Sequence, residues 1–272
     1  MDAPAHLLRR HRLRPKKSWG QNFLGDVSVL DRIAAACGVG PGQTVVELGA
    51  GLGHLTDRLL ATGARVIAVE RDREIAAVLR ETLADRPQLE IVEANAATVS
   101  IRELAGGRAA VCGNLPYHLS SEIIFHCLEQ RADVVRMVFT LQTEFAARLA
   151  AGPGSRTYGI LSIQAQALSD VHRLFGIPAG AFLPRPEVDS AVVELTPLAE
   201  PRVPGAGTPL FERVVRGAFG QRRKTLQNSL AGHGFEGARA ALAEAGIDPT
   251  RRAETLSIEE FGRLAQALAR QL

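Results

Sequence analysis

Residues 44–61 read TVVELGAGLGHLTDRLLA, and this stretch decides the fold. A five-residue apolar run, Thr44 to Leu48, is too short for a helix and rich in β-branched residues. It stops at glycines 49, 51 and 53, and from His54 the apolar residues recur at helical spacing. A strand, a glycine turn and a helix in that order form one step of an α/β sheet. Working outward, RVIAVE (65–70), LEIVEA (89–94), AAVCG (109–113) and VVRMVFTL (134–141) repeat the short apolar run. DREIAAVLRETLA (72–84) and SSEIIFHCLE (120–129) supply helices between them. The alternation predicts a doubly wound, mostly parallel sheet, and the nearly continuous apolar strands predict that both its faces are covered. VHRLFGI (171–177) and VDSAVVELT (188–196) read as a closing hairpin pair.

Composition shifts at TPLAEPRVPGAGTP (196–209), where four prolines and two glycines read as a linker. The remainder has helical periodicity, and Ser257 with Glu260 forms a capping-box pattern. Four segments are therefore expected: a basic N-terminal arm and covering segment at 1–24, an α/β domain at 25–197, a linker at 198–206 and a small all-helical domain at 207–272.

The chain has 272 residues, 46% hydrophobic and 22% charged, with a net charge of only +3. The charge is unevenly spread. HLLRRHRLRPKK (6–17) contains six Arg or Lys and no acid, and QRRK (221–224) is a second basic run. Such clusters predict an anionic partner. Cys37, Cys112 and Cys127 lie among apolar residues with no CxxC spacing, and are expected to be reduced core thiols of a cytoplasmic protein. The histidines show no ligand spacing, so no metal is expected. No apolar run reaches membrane-spanning length, and no signal-peptide pattern stands at the N-terminus.

The glycine loop points to a nucleotide-like cofactor approached closely by backbone. A dinucleotide fingerprint would need glycine at 54, where this chain has His54. Glu47, just before the loop, would repel a pyrophosphate. It suits a cofactor with a positive centre and no phosphate, such as S-adenosylmethionine. Glu70, at the end of the second strand, can accept from both ribose hydroxyls, and Asn95 falls where the adenine edge would lie. The fourth strand runs into GNLPY (113–117), at the carboxyl end of the sheet where ligands bind. The side-chain oxygen of Asn114 and the carbonyl of Leu115 can accept the two N–H groups of a planar amine. Pro116 stiffens that carbonyl, and Tyr117 offers a stacking face.

With these residues in view, the chain resembles the bacterial small-subunit ribosomal RNA adenine N6-dimethyltransferases. The resemblance runs through KKSWGQNFL, ELGAGLGHLT, VIAVE, GNLPYHLSS, FLPRPEVDSAVV and QRRKTLQNSL, nearly the whole chain. It implies a Rossmann-like methyltransferase domain with a seven-stranded sheet and a helical C-terminal domain. It also implies dimethylation of two adjacent adenosines in the 3′-terminal hairpin loop of 16S rRNA, on an immature 30S subunit, by a monomer using S-adenosylmethionine. Matched positions place cofactor contacts at Asn22, Leu24, Gly49, Gly51, Glu70, Asn95 and Asn114, and catalysis at Asn114, Leu115, Pro116 and Tyr117. Substrate contacts fall at Tyr117, Phe182, Arg222, Arg223 and Lys224. Two positions depart from the family pattern. Asn95 stands where Asp is usual, which should weaken cofactor binding without abolishing it, and His118 stands where Asn is common. The competing readings are a 23S rRNA adenine methyltransferase of the macrolide-resistance type, which QRRKTLQNSL and the C-terminal helices argue against, and a non-catalytic ribosome-assembly factor. A clamp of this kind also suits DNA adenine or a glutamine amide. A dehydrogenase is the weakest reading.

Overall fold

The computed structural model describes residues 1–221 and 224–271, the Lys17 side chain excepted. The chain opens with α1 (Pro4–Arg10), β1 (Phe23–Leu24) and α2 (Val27–Cys37). The winding follows as β2 (Thr44–Leu48), α3 (His54–Ala61), β3 (Arg65–Val69), α4 (Arg73–Thr82), β4 (Leu89–Val92), α5 (Ile101–Ala105), β5 (Ala109–Asn114), α6 (Ser120–Glu129) and β6 (Val134–Gln142). Next come α7 (Thr143–Leu149), α8 (Ile160–Gln166), β7 (Ser169–Ile177), β8 (Phe182–Leu183) and β9 (Ser190–Pro197). Four helices complete the chain: α9 (Pro209–Phe219), α10 (Leu226–Ala231), α11 (Ala238–Glu244) and α12 (Ile258–Ala269).

Seven strands form one sheet in the order β4-β3-β2-β5-β6-β9-β7. The pairs β2–β3, β3–β4, β2–β5 and β5–β6 are parallel, and β9 runs antiparallel to β6. This is the doubly wound sheet expected from the alternation, with β7 and β9 as neighbours. Strand order reverses between β2 and β5, so the carboxyl ends of β2, β3 and β5 open a crevice at one edge. The central strands are buried residue after residue, as a sheet covered on both faces requires. On one face Leu30 and Ile33 of α2 and Leu59 and Leu60 of α3 join Val45, Val66 and Ala110 in a single core.

The compact units divide differently from the expected segments. One comprises Met1–Ala146 with His172–Pro197, and the other Ala147–Val171 with Leu198–Leu272. Residues 147–171, expected in the α/β domain, join the helical unit through contacts between α8 and α9 and through the bonds Leu198 N to Leu168 O (3.0 Å) and Arg202 N to Ala167 O (2.8 Å). The expected linker is packed within that unit. Val203 and Ala206 are buried, and Val203 seats against Gly262 of α12, where any side chain would collide with it. In α12 the capping box forms as read: Ser257 Oγ accepts from Glu260 N (3.2 Å), and Glu260 Oε2 accepts from Ser257 N (2.8 Å).

Among the described residues no helix is long and apolar enough to cross a membrane, and no group of three or more His, Cys, Asp or Glu is placed to hold a metal.

Candidate active site

The glycine loop after β2 turns through left-handed backbone at Gly49 (φ +75°), Gly51 (φ +57°) and Gly53 (φ +88°). Non-glycine residues avoid that region. At Gly53 a side chain would also collide with Leu79 of α4, whereas at Gly49 the nearest atom to an added Cβ is the Asn114 carbonyl oxygen at 3.9 Å. The floor beside Gly49 is therefore open. It belongs to a cleft with about 950 Å³ of empty space, part of it continuous with solvent.

Two buried carboxyls face this cleft. Glu70, following β3, is held from both sides: one oxygen accepts from Gly51 N (2.9 Å) and the other from Asp72 N (2.8 Å). Burial pushes its carboxyl above the ordinary value, against those two backbone donors. Glu47, on β2, is 1% exposed and accepts a hydrogen bond from Thr56 Oγ1 at 2.6 Å. Burial pushes its pKa up to about 8, with the nearby Glu70 adding to the rise and the Thr56 bond opposing it.

Another wall is formed by β1 and the segment before it. Trp19, Gly20, Gln21, Asn22, Phe23 and Leu24 all line the cleft. The upstream basic segment is folded. Leu7 and Leu8 of α1 are buried with Phe23, Leu52, Ile75 and Val78, each worth about 1.5–3 kcal/mol of burial. Arg10 pairs with Glu81 (3.0 Å) and Lys16 with Asp72 and Glu74 (2.9 and 2.8 Å). So part of the charge expected to reach outward is spent on the protein itself, while Arg9, Arg12 and Arg14 are exposed.

Asn114, the last residue of β5, lines the cleft. Its Nδ2 donates to the Asn22 carbonyl at 2.7 Å, and among the described residues no donor meets its Oδ1. Pro116 also lines the cleft. Its carbonyl accepts from Leu119 N (3.0 Å) and Ser120 Oγ (3.2 Å), which fixes the turn. Leu115 and Tyr117 are not lining residues. Leu115 is buried, and Tyr117 is half-buried with its hydroxyl hydrogen-bonded to Ser190 Oγ (2.8 Å). Asn95 lines the cleft, but its Oδ1 already accepts from Ala97 N (3.2 Å).

The structure thus gathers Asn22, Leu24, Gly49, Gly51, Glu70, Asn95, Asn114 and Pro116 around one cleft. Phe182 requires a correction. Expected to flank a base, it is 4% exposed, pairs with Leu24 across the β1–β8 ladder and packs with Leu24 and Leu30 in the core, so its ring presents no stacking face. Lys224 is exposed in the second unit, and Arg222 and Arg223 lie outside the described residues. Sequence reading missed Trp19, Gln21, Lys16 and Asp72. In the sequence Asp72 is only the first residue of the helical stretch 72–84, and its link to Lys16 spans 56 positions.

The family described as "Ribosomal RNA adenine dimethylase" matches residues 12–270. "Ribosomal RNA small subunit methyltransferase A" of Myxococcus xanthus (strain DK1622) is 50% identical over 273 residues, covering 98% of this chain and 96% of that protein. The protein of the same name from Moorella thermoacetica (strain ATCC 39073 / JCM 9320) is 43% identical over 274 residues, covering 96% and 95%. Among solved structures, the 23S rRNA methyltransferase ErmE superposes with a TM-score of 0.70 at 29% identity, over 91% of this chain and 99% of its own. A dimethyladenosine transferase from Plasmodium falciparum superposes with a TM-score of 0.77 at 23% identity, over 89% and 95%, a likeness of fold. A family match across almost the entire sequence, with relatives of that identity at nearly full length, means that the chain belongs to the ribosomal RNA adenine dimethylase family and is an rRNA adenine dimethyltransferase.

Proposed function

We propose that the protein dimethylates N6 of two adjacent adenosines in the 3′-terminal hairpin loop of 16S rRNA, within an immature 30S subunit, using S-adenosylmethionine. The observation that carries this reading is the anchoring of Asn114. With Nδ2 tied to the Asn22 carbonyl, the side-chain oxygen is left to accept at the mouth of the glycine cleft.

The cleft fits the cofactor on its own chemistry. Glu70 is held by two backbone N–H groups and keeps lone pairs for the ribose hydroxyls. The open floor at Gly49 admits close approach. The buried Glu47 complements a cation and opposes a phosphate. When bound, S-adenosylmethionine supplies an electrophilic methyl group on a cationic sulfur.

An adenine N6 amine is a poor nucleophile because its lone pair is delocalised into the ring. Asn114 Oδ1 and the Leu115 carbonyl accept its two N–H bonds, which orients the nitrogen and stabilises the positive charge it gains. Pro116 donates nothing, so the turn competes for neither acceptor. Tyr117, fixed through Ser190, supplies a face for the extruded base. Loop adenosines cost least to splay out. No strong base is required, because the methylated amine sheds its proton to solvent. On this reading the protein works as a monomer in the cytoplasm, where ribosomes assemble, and the exposed Arg9, Arg12 and Arg14 meet phosphates.

One second reading has support, a 23S target as in the protein named ErmE. Because ErmE aligns over nearly the whole chain, the C-terminal helices do not separate the two readings as expected. The higher identity of the small-subunit relatives favours 16S. Nucleoside mass spectrometry of rRNA from a strain lacking the gene, with and without the gene restored, tests this. N6,N6-dimethyladenosine should return in 16S rRNA; its return in 23S rRNA alone would reverse the choice.

A further inference from the structure

Residues 16–22 cross the cleft as a strap between two anchors. Upstream, α1 is seated by Leu7 and Leu8; downstream, β1 pairs with β8. Between them the strap is gripped chiefly by one side chain. Asp72, with a side chain 2% exposed, accepts from Lys16 Nζ through Oδ1 (2.9 Å) and from Gln21 Nε2 through Oδ2 (2.8 Å). Gln21 Oε1 in turn accepts from Lys16 N (2.8 Å). Trp19 projects between cations, 4.9 Å from Lys16 Nζ and 4.3 Å from the Arg71 guanidinium. The next residue after Gln21 is Asn22, whose carbonyl accepts the single hydrogen bond that the Asn114 side chain makes among the described residues.

We propose that Asp72 is a positioning residue for methyl transfer: by latching the strap through Lys16 and Gln21 it holds the Asn22 carbonyl against Asn114 and so aims the oxygen that receives the target amine. The inference rests on the reading of Asn114 given above. Gln21 and Asn22 are adjacent, so release of the Gln21 side chain loosens the Asn22 carbonyl that Asn114 meets. An Asn amide without its partner can turn over and offer N–H where the amine needs an acceptor. The strap is also a wall of the cleft, so the latch that aims Asn114 holds that wall in place as well.

The test uses the full chain, with Trp19 as reporter, since it is the only tryptophan. Asp72→Ala and Gln21→Leu remove the two halves of the latch. The second leaves intact the Asp72 cap of α4, where Oδ1 accepts from Glu74 N, and so separates latching from helix stability. S-adenosylhomocysteine affinity is titrated through Trp19 emission, and kcat is measured on undermethylated 30S subunits at saturating S-adenosylmethionine. Both variants should shift Trp19 emission to the red and lower kcat by about 10- to 100-fold. On an Asn114→Ala background the same changes should cost almost nothing further, because they act through Asn114. Unchanged kcat in Gln21→Leu, or losses that add fully to Asn114→Ala, would overturn the latch. Failure of the wild-type protein to bind the homocysteine compound or to methylate any rRNA would instead sink the functional reading, and would leave the emission comparison to judge the strap.

Discussion

Glu47→Gln should make the protein more stable and its cofactor weaker-binding. Burial lifts the carboxyl from an ordinary 4.5 to about 8. Below about pH 4.5 the group is protonated both folded and unfolded, and contributes nothing. Between 4.5 and 8 the unfolded chain releases a proton that the folded chain retains, so stability falls by about 1.4 kcal/mol per pH unit. At pH 7 the accumulated cost is about 3 kcal/mol, and above pH 8 it levels off. Gln carries no such proton and still accepts from Thr56 Oγ1. The variant should therefore melt higher at pH 7 by about 6–12 °C, with the difference vanishing near pH 4.5. Binding runs the other way. A cation beside Glu47 draws the proton off, so the wild type should release close to one proton per S-adenosylmethionine at pH 7 and bind tighter as pH rises, by nearly tenfold from pH 6 to 7 and less steeply as pH approaches 8. The variant should bind more weakly, with no proton release and little pH dependence. Scanning calorimetry from pH 4.5 to 8.5 and titration calorimetry in buffers of different ionisation enthalpy measure both. A variant less stable at pH 7, or wild-type binding without proton release, would refute the reasoning.

Other sites give sharper single outcomes. Asn114→Ala should lower turnover on 30S subunits by about 10²–10³-fold while S-adenosylhomocysteine still binds, as read by equilibrium dialysis. Tyr117→Phe keeps the ring and loses only the Ser190 bond, so kcat/KM should fall a few-fold, whereas Tyr117→Ala should lose a further 1–3 kcal/mol or so of base stacking. Gly113→Ala would drive a methyl group into the Leu48 carbonyl, spreading β5 from β2; strongly reduced soluble yield should follow, checked by expression and circular dichroism.

The sheet was legible because its strands announce themselves. TVVEL, RVIAV and AAVCGN each pair an apolar run with a following turn or helix, and the parallel order follows from that alternation. The glycines, Glu70 and Asn114 were legible for the same reason: the topology alone carries the strand ends to one edge. What local sequence withheld is tertiary. FLPRP marks Phe182 as special, but nothing near it says that β8 closes on β1 and drives the ring into the core. Residues 198–206 have linker composition, yet Val203 finds its seat at Gly262, nearly sixty positions on. The arm at 9–17 looks like a free cationic tail, but Leu7 and Leu8 fix it and Asp72 claims Lys16. In each case a distant partner outweighs the local composition.

The central claim is that the Asn114 cleft methylates small-subunit rRNA. The direct measurement supplies radiolabelled S-adenosylmethionine with 30S or 50S subunits from cells lacking the modification. Label in 16S rRNA, recovered as N6,N6-dimethyladenosine from the 3′-terminal hairpin and entering at least about a hundredfold more slowly with Asn114→Ala, is the predicted result. Label confined to 50S subunits, or label entering 16S rRNA at an undiminished rate after the loss of Asn114, would contradict it.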